Sequence, residues 1–295
     1  MSTSIDEAFV RQYERDVHDV FQRRGAVLLP AVRKSMNVVG YSTTFQKVGK
    51  GAATTKARHG IITPMNQDHT AIECTLADFY AGDYADKLDE AKVNIDEKAA
   101  IARGGAMALG RKVDDQIITQ LNATSQTAIT VTVTSIGATR AGLMNMIAAL
   151  YANDVPNDGM LYGVLTPKAW AHASVIEEFS SADYVTASGR TFEEGGPIAR
   201  WKEWAGLKWT VHTGCSGIGT SAAKIHIWHY DAVGYAAAAS AGNIAGNAGV
   251  AADITWHGDR AAHFVNHMMS GGAALIDDTG VIEGTIDDTA SVASS

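Results

Sequence analysis

The chain has 295 residues, 46% hydrophobic and 19% charged, which gives it enough apolar side chains for a large core and excludes a disordered polymer. Two cysteines, Cys74 and Cys215, are too few for a disulfide framework, and the polar start MSTSIDEAFVRQYERD reads as carrying no secretion signal. The net charge of −8 is unevenly spread, with ten Lys and Arg against five Asp and Glu in residues 1–60 and no Lys or Arg after Arg260. A basic arm on an acidic body is expected to meet something negative, either nucleic acid or a neighbouring copy.

Residues 5–24 read as an amphipathic helix, because Phe9, Tyr13, Val17 and Phe21 recur every four residues. The character changes after residue 36. VVGYSTTFQKVG and HTAIECTLADFY alternate and are rich in β-branched side chains, so they read as two long strands. Between them, KGAATTKARHGIITPMNQD is polar and basic and reads as an extended excursion. A two-stranded ribbon is marginal alone and is expected to lie on a partner.

Residues 94–122 hold the longest helical pattern. Asn94 and Glu97 resemble a capping box, and Ala106, Leu109, Val113, Ile117 and Leu121 form one apolar stripe. At 1.5 Å per residue such a helix spans about 40 Å, with bends expected at Gly104-Gly105 and Gly110.

TAITVTVTS (127–135) reads as one short strand, followed by a helix over 139–152. MLYGVLTPKAWAHASVIEEF reads as a buried strand, a proline junction and a helix; GLKWTVHTG and KIHIWHYDAVGYA read as two strands. AADITWHGDRAAHFVNHMM, GGAALID and TGVIEGTID read as closing strands, and the last seven residues as a tail. The uncharged stretch 233–252 matches a membrane span in length, but its Ala, Gly and Asn content is too weakly hydrophobic for one.

The chemical motifs do not add up to an enzyme. Gly217-Ile218-Gly219-Thr220-Ser221-Ala222 fits a dinucleotide fingerprint, but an alternating strand follows where a helix is required, so a glycine-rich hairpin loop is the expectation. Cys215 in that loop is a candidate thiol nucleophile. His257, His263 and His267 are candidate metal ligands, yet HFVNH lacks the glutamate of the zinc-protease helix. Read as a strand, His263 and His267 stand about 13 Å apart, too far for one zinc ion. Adjacent acids such as Glu177-Glu178, Glu193-Glu194, Asp277-Asp278 and Asp287-Asp288 read as solvated surface charge. No catalytic, cofactor-binding or metal residue is assigned, and elimination points to assembly.

The element order, with MLYGVLTPKAWAHASVIEEFSSADYVTASG, GRTFEEGGPIARWKEWAGLKWTVHTG and RAAHFVNHMMSGGAALIDDTGVIEG, resembles the major capsid proteins of tailed bacteriophages, the Hong Kong 97 type of shell subunit. The resemblance implies an α+β, HK-97-like fold. Its parts would be an N-terminal arm (1–40), an extended β-loop (41–86), and a peripheral domain with a long spine helix (87–126). An α/β axial domain (127–252) and a return to the peripheral domain with the C-terminal tail (253–295) would follow.

The resemblance further implies self-assembly into pentamers and hexamers around double-stranded DNA, in a virion capsid assembled in the bacterial host cytoplasm. A portal, and a separate scaffolding or decoration protein, would be further partners; DNA contact would be weak and non-specific, and no membrane is involved. Subunit contacts are expected from Phe9, Arg11, Arg15, Arg23 and Arg24 of the arm and from Phe45, Lys47, Lys50, Lys56 and Arg58 of the extended loop. That loop would lie over a neighbour's spine helix. The alternatives are an encapsulin-type nanocompartment shell, and a metal- or thiol-dependent enzyme using His257, His263, His267 or Cys215.

Overall fold

The computed structural model describes residues 23, 26–88, 97–133, 136–176, 179, 201–238 and 250–292. The expected N-terminal helix, with Phe9, Arg11, Arg15 and Arg24, lies outside them, as do Asn94 and the acids Glu177, Glu178, Glu193 and Glu194. The first half of the chain gives β1 (Arg33–Val38), β2 (Ser42–Val48), β3 (His69–Thr75), β4 (Ala77–Asp86), α1 (Glu97–Leu121), β5 (Ile129–Thr130), β6 (Thr132–Val133), β7 (Ile136–Ala138) and α2 (Arg140–Ala152). The second half gives β8 (Leu161–Leu165), α3 (Pro167–Val175), β9 (Lys202–Trp204), β10 (Leu207–Val211), β11 (Ala223–His229), β12 (Val233–Ala238), β13 (Val250–His257), β14 (Ala262–Leu275) and β15 (Val281–Ile286).

Two sheets organise the body. The first is six-stranded, in the order β5-β15-β11-β8-β10-β9. Its apolar alternation places Ile225, Ile227, Ile282 and Ile286 against Leu143, Met146, Ile147 and Leu150 of α2. Both flanking helices start where the sequence signals it: Thr139 accepts the Gly142 amide, and Thr166 accepts the Ala169 amide with Pro167 in the first turn. Trp204 and Trp209 fill the same core.

The second sheet is built on the 14 residues of β14. β4 pairs along one edge, over Ala262 to Gly271. Along the other edge β13 pairs with Ala262 to Met269 and β12 with Gly271 to Leu275, so β12 and β13 follow one another on the same edge. β1 adds to β12 in parallel. One face of β14 presents Val265, His267 and Met269 to α1, which runs unbroken through Gly104, Gly105 and Gly110. The approach is close: a Cβ on Gly105 would stand 2.5 Å from the His267 ring.

Leu109, Val113, Ile117 and Leu121 bury as the stripe implies, but Ala106 is exposed. The buried set instead rotates to include Asp114 and Ile118.

Three further expectations are corrected. TAITVTVTS is two short strands, because Val131 turns its amide to Thr285 of β15 and buries its side chain. KIHIWHYDAVGYA is also two strands, broken by a 3-10 turn at Tyr230–Ala232, so β11 lies in the first sheet and β12 in the second. The glycine-rich loop 213–222 is no hairpin: β10 and β11 pair with opposite edges of β8, and the loop crosses between them with Gly217 and Gly219 at positive φ.

Candidate assembly surface

β2 and β3 form a separate antiparallel ribbon from Ser42↔Thr75 to Val48↔His69. The second strand of the expected loop divides: residues up to Thr75 stay in the ribbon, and Ala77–Asp86 leaves it for the β14 sheet. At its base the ribbon covers part of the sheet face opposite α1, where Phe45, Cys74 and Leu76 bury against Ala236, Ala274 and Ile276. Beyond the base, every residue from Lys50 to Ala71 is exposed. Ile61 is 94% and Ile62 70% exposed, and Met65 is half exposed. Such side chains lose the free energy of burial as long as the chain is alone.

The sheet face that the ribbon base covers continues outwards with no described element packed over it. Directly opposed residues of antiparallel strands share a face, which places Tyr80, Tyr84, Phe264 and Met268 there with Asp78, Asp86 and Asp253. Tyr80 is 68% exposed. The Tyr84 and Phe264 rings stand 4.6 Å apart, and the Arg260 guanidinium lies 4.6 Å over Tyr84. This face is aromatic and acidic; the ribbon beyond its base is aliphatic and basic, with Lys50, Lys56 and Arg58 against Asp68.

The remaining loop and arm candidates divide by position. Phe45 is buried within the subunit, below the Arg33 guanidinium at 5.8 Å. Lys47 Nζ donates to Asp277 at 2.9 Å and Lys50 Nζ to Asp154 at 2.7 Å. Lys56 and Arg58 stand exposed. Arg23, where the arm meets the body, donates to Asp115 at 2.6 Å and to the Arg111 carbonyl at 3.3 Å.

Next to it lies a residue that sequence reasoning missed. Asp114 is fully buried and accepts the Leu28 amide at 3.0 Å and the Val27 amide at 3.2 Å. Its Oδ2 also meets His212 Nε2 at 3.2 Å, while His212 Nδ1 accepts the Gly214 amide. A ring that accepts at Nδ1 donates at Nε2, so one carboxylate fastens the arm root, α1 and the end of β10 together. The signal was present: Asp114 lies three residues before Ile117 and seven before Leu121, on the apolar side of the helix.

The acids read as solvated charge include further fasteners. Asp278 accepts from the Thr124 and Ser125 hydroxyls, the Ser125 amide and the Gln126 side chain. Burial acts to raise its carboxyl, but these hydrogen bonds together outweigh burial and hold it at about 2, below its ordinary 3.8. Asp288 is buried and accepts the Thr166 hydroxyl at 2.6 Å.

The metal and thiol candidates do not converge. His257 lies on the opposite face of the sheet from His263 and His267. Among the described residues no group of three or more His, Cys, Asp or Glu could hold a metal ion. Burial first, and Asp288 second, push the buried Cys215 thiol up to about 12, so it stays protonated and is a poor nucleophile. Among the described residues no helix is long and apolar enough to cross a membrane.

A family model described as phage capsid protein matches residues 5–288. No curated protein matches the chain. Solved structures do. The capsid of cyanophage P-SCSP1u is 15% identical with a TM-score of 0.67, over 97% of this chain and 95% of that one. A structure from Mycobacterium phage Che8 is 15% identical with a TM-score of 0.66, over 94% and 97%. The capsid of a native GTA particle is 12% identical with a TM-score of 0.68, over 97% of both chains.

Proposed function

Because this chain belongs to the phage capsid protein family, we propose an account of how its copies hold one another. It is a major capsid protein, a structural protein of the phage shell, and its fold is of the Hong Kong 97 type. The copies close into pentamers and hexamers, with the six-stranded sheet and its helices towards the local symmetry axes.

The observation that carries the reading is the ribbon, whose residues from Lys50 to Ala71 are all exposed, large aliphatic side chains included. The ribbon of one copy lies on the open sheet face of the next. Ile61, Ile62 and Met65 meet Tyr80 and Tyr84, while Lys56 and Arg58 face Asp78, Asp86 and Asp253. This sets the ribbon on the face away from the neighbour's long helix, α1. The arm residues Phe9, Arg11, Arg15 and Arg24 run beneath a neighbour, while Arg23 keeps the arm root on its own α1 through Asp115. A portal and a scaffolding or decoration protein complete the shell, which is assembled in the host cytoplasm and then filled with double-stranded DNA. The net charge of −8 supports weak DNA contact. No enzymatic step is proposed.

Electron microscopy of the purified protein tests the reading. Shells or capsomers are expected; a stable 31.2 kDa monomer under every assembly condition would overturn it. Ile62→Cys with Tyr80→Cys tests the ribbon's seat. Oxidation should link copies into multimers, and linkage confined to single chains would place the ribbon elsewhere.

A further inference from the structure

Two connections pass between the sheets side by side. One carries β11 into β12 through Tyr230–Ala232, and the other carries β14 into β15 through Asp277–Gly280. The amides of Ile276 and Asp277 both donate to the Ala232 carbonyl, at 2.8 and 3.0 Å, and so tie the two crossings together.

The ribbon grips this junction with one face of β2. The Phe45 ring packs over Gly234, where a Cβ would stand 2.7 Å from it, and against Ile276. Two residues on, Lys47 reaches Asp277, whose Oδ1 is itself held by the Thr279 hydroxyl at 2.8 Å and amide at 3.1 Å. Lys50 then reaches Asp154, just beyond α2, and both line a cavity of about 580 Å³. Gln46, Asp154, Asp231 and Thr279 are among the residues lining that cavity. On the other side of the same turn, Asp278 holds Thr124, Ser125 and Gln126 after α1, and Asn153 donates to the Thr279 carbonyl at 3.0 Å.

We propose that the ribbon base is a strut that couples the direction of the ribbon to the angle between the two sheets. It is anchored on β12 of the second sheet by Phe45, on the crossing turn by Lys47, and beside the first sheet by Lys50. A rotation of the ribbon therefore cannot leave all three anchors in place unless the junction turns with it. The anchors are graded. Lys50–Asp154 is solvent-exposed on both sides and weak, so it opens first. Lys47–Asp277 is more sheltered and backed by Thr279, so it holds longer. The cavity gives the ribbon base room to move towards the junction. In a shell, a neighbour pressing on the ribbon would be felt at the junction of the sheets. That use rests on the assembly reading, whereas the strut itself does not.

Hydrogen exchange on the full-length chain, with all variants compared in the same assembly state, tests it. Lys47→Ala is expected to speed exchange in β2 and, with it, of the Ile276 and Asp277 amides by about two- to fivefold. The swapped pair Lys47→Asp with Asp277→Lys should bring both back towards the original rates. A disulfide between Lys50→Cys and Asp154→Cys should slow the same two amides. Faster exchange confined to β2, or junction amides indifferent to the disulfide, would overturn the proposal without touching the assembly reading.

Discussion

β11 and β2 are both seven-residue alternating strands, and they meet opposite fates. Six of the residues in β11 are buried, with only Lys224 partly open, whereas in β2 Phe45 alone is buried. β11 sits mid-sheet between β8 and β15 with α2 on one face and the α1 core on the other. β2 has one partner strand and, past its base, open solvent. The same local pattern thus serves two ends: one region is covered on both faces, and the other stays exposed past its base.

That contrast can be broken first in the self-sufficient region. Trp228 in β11 is fully buried and its indole N–H donates to the Ala31 carbonyl at 2.9 Å. Trp228→Ala should cost about 3–5 kcal/mol, read as a lowered denaturant midpoint. Asp114→Ala comes next. It strands the Val27 and Leu28 amides and His212, and should cost about 2–3 kcal/mol. It should also expose the chain after Arg23 to trypsin, an effect that Trp228→Ala in its folded fraction should not share.

Acid should act more gently. Asp278 has a folded value depressed to about 2, so its hydrogen bonds stabilise fully above its ordinary 3.8 and are lost as pH falls from about 4 to 2. Asp278→Asn should flatten stability against pH across that window. The smallest effect on the fold belongs to the ribbon. Ile61→Ser with Ile62→Ser should leave the midpoint within about 0.5 kcal/mol of the parent chain, yet abolish shells in electron micrographs. A large loss of stability would mean that the ribbon is less independent than β2 and β3 imply.

Much of this was legible from periodicity. The ribbon, the long helix, the two capped helices and the closing strands each carry a local pattern, and local patterns fix element type. What stayed hidden was decided by partners distant in sequence. Asp277 and Asp278 look like any surface pair until Lys47 and the 124–126 turn arrive beside them. His212 gives no sign that Asp114, 98 residues earlier, is its partner. Alternation ran on unbroken through HIWHYDAVGY, so nothing local marked the 3-10 turn at which the chain changes sheets. Asp114 is the exception, since a carboxylate on an apolar helix face announces a missing partner.

The succession of β12 and β13 along one edge of β14 has a practical consequence. The Ala237↔Gly271 and Val250↔Met269 pairs hold both ladders to the same strand on either side of the join, so a kink at Ser270, between the two, would loosen both at once.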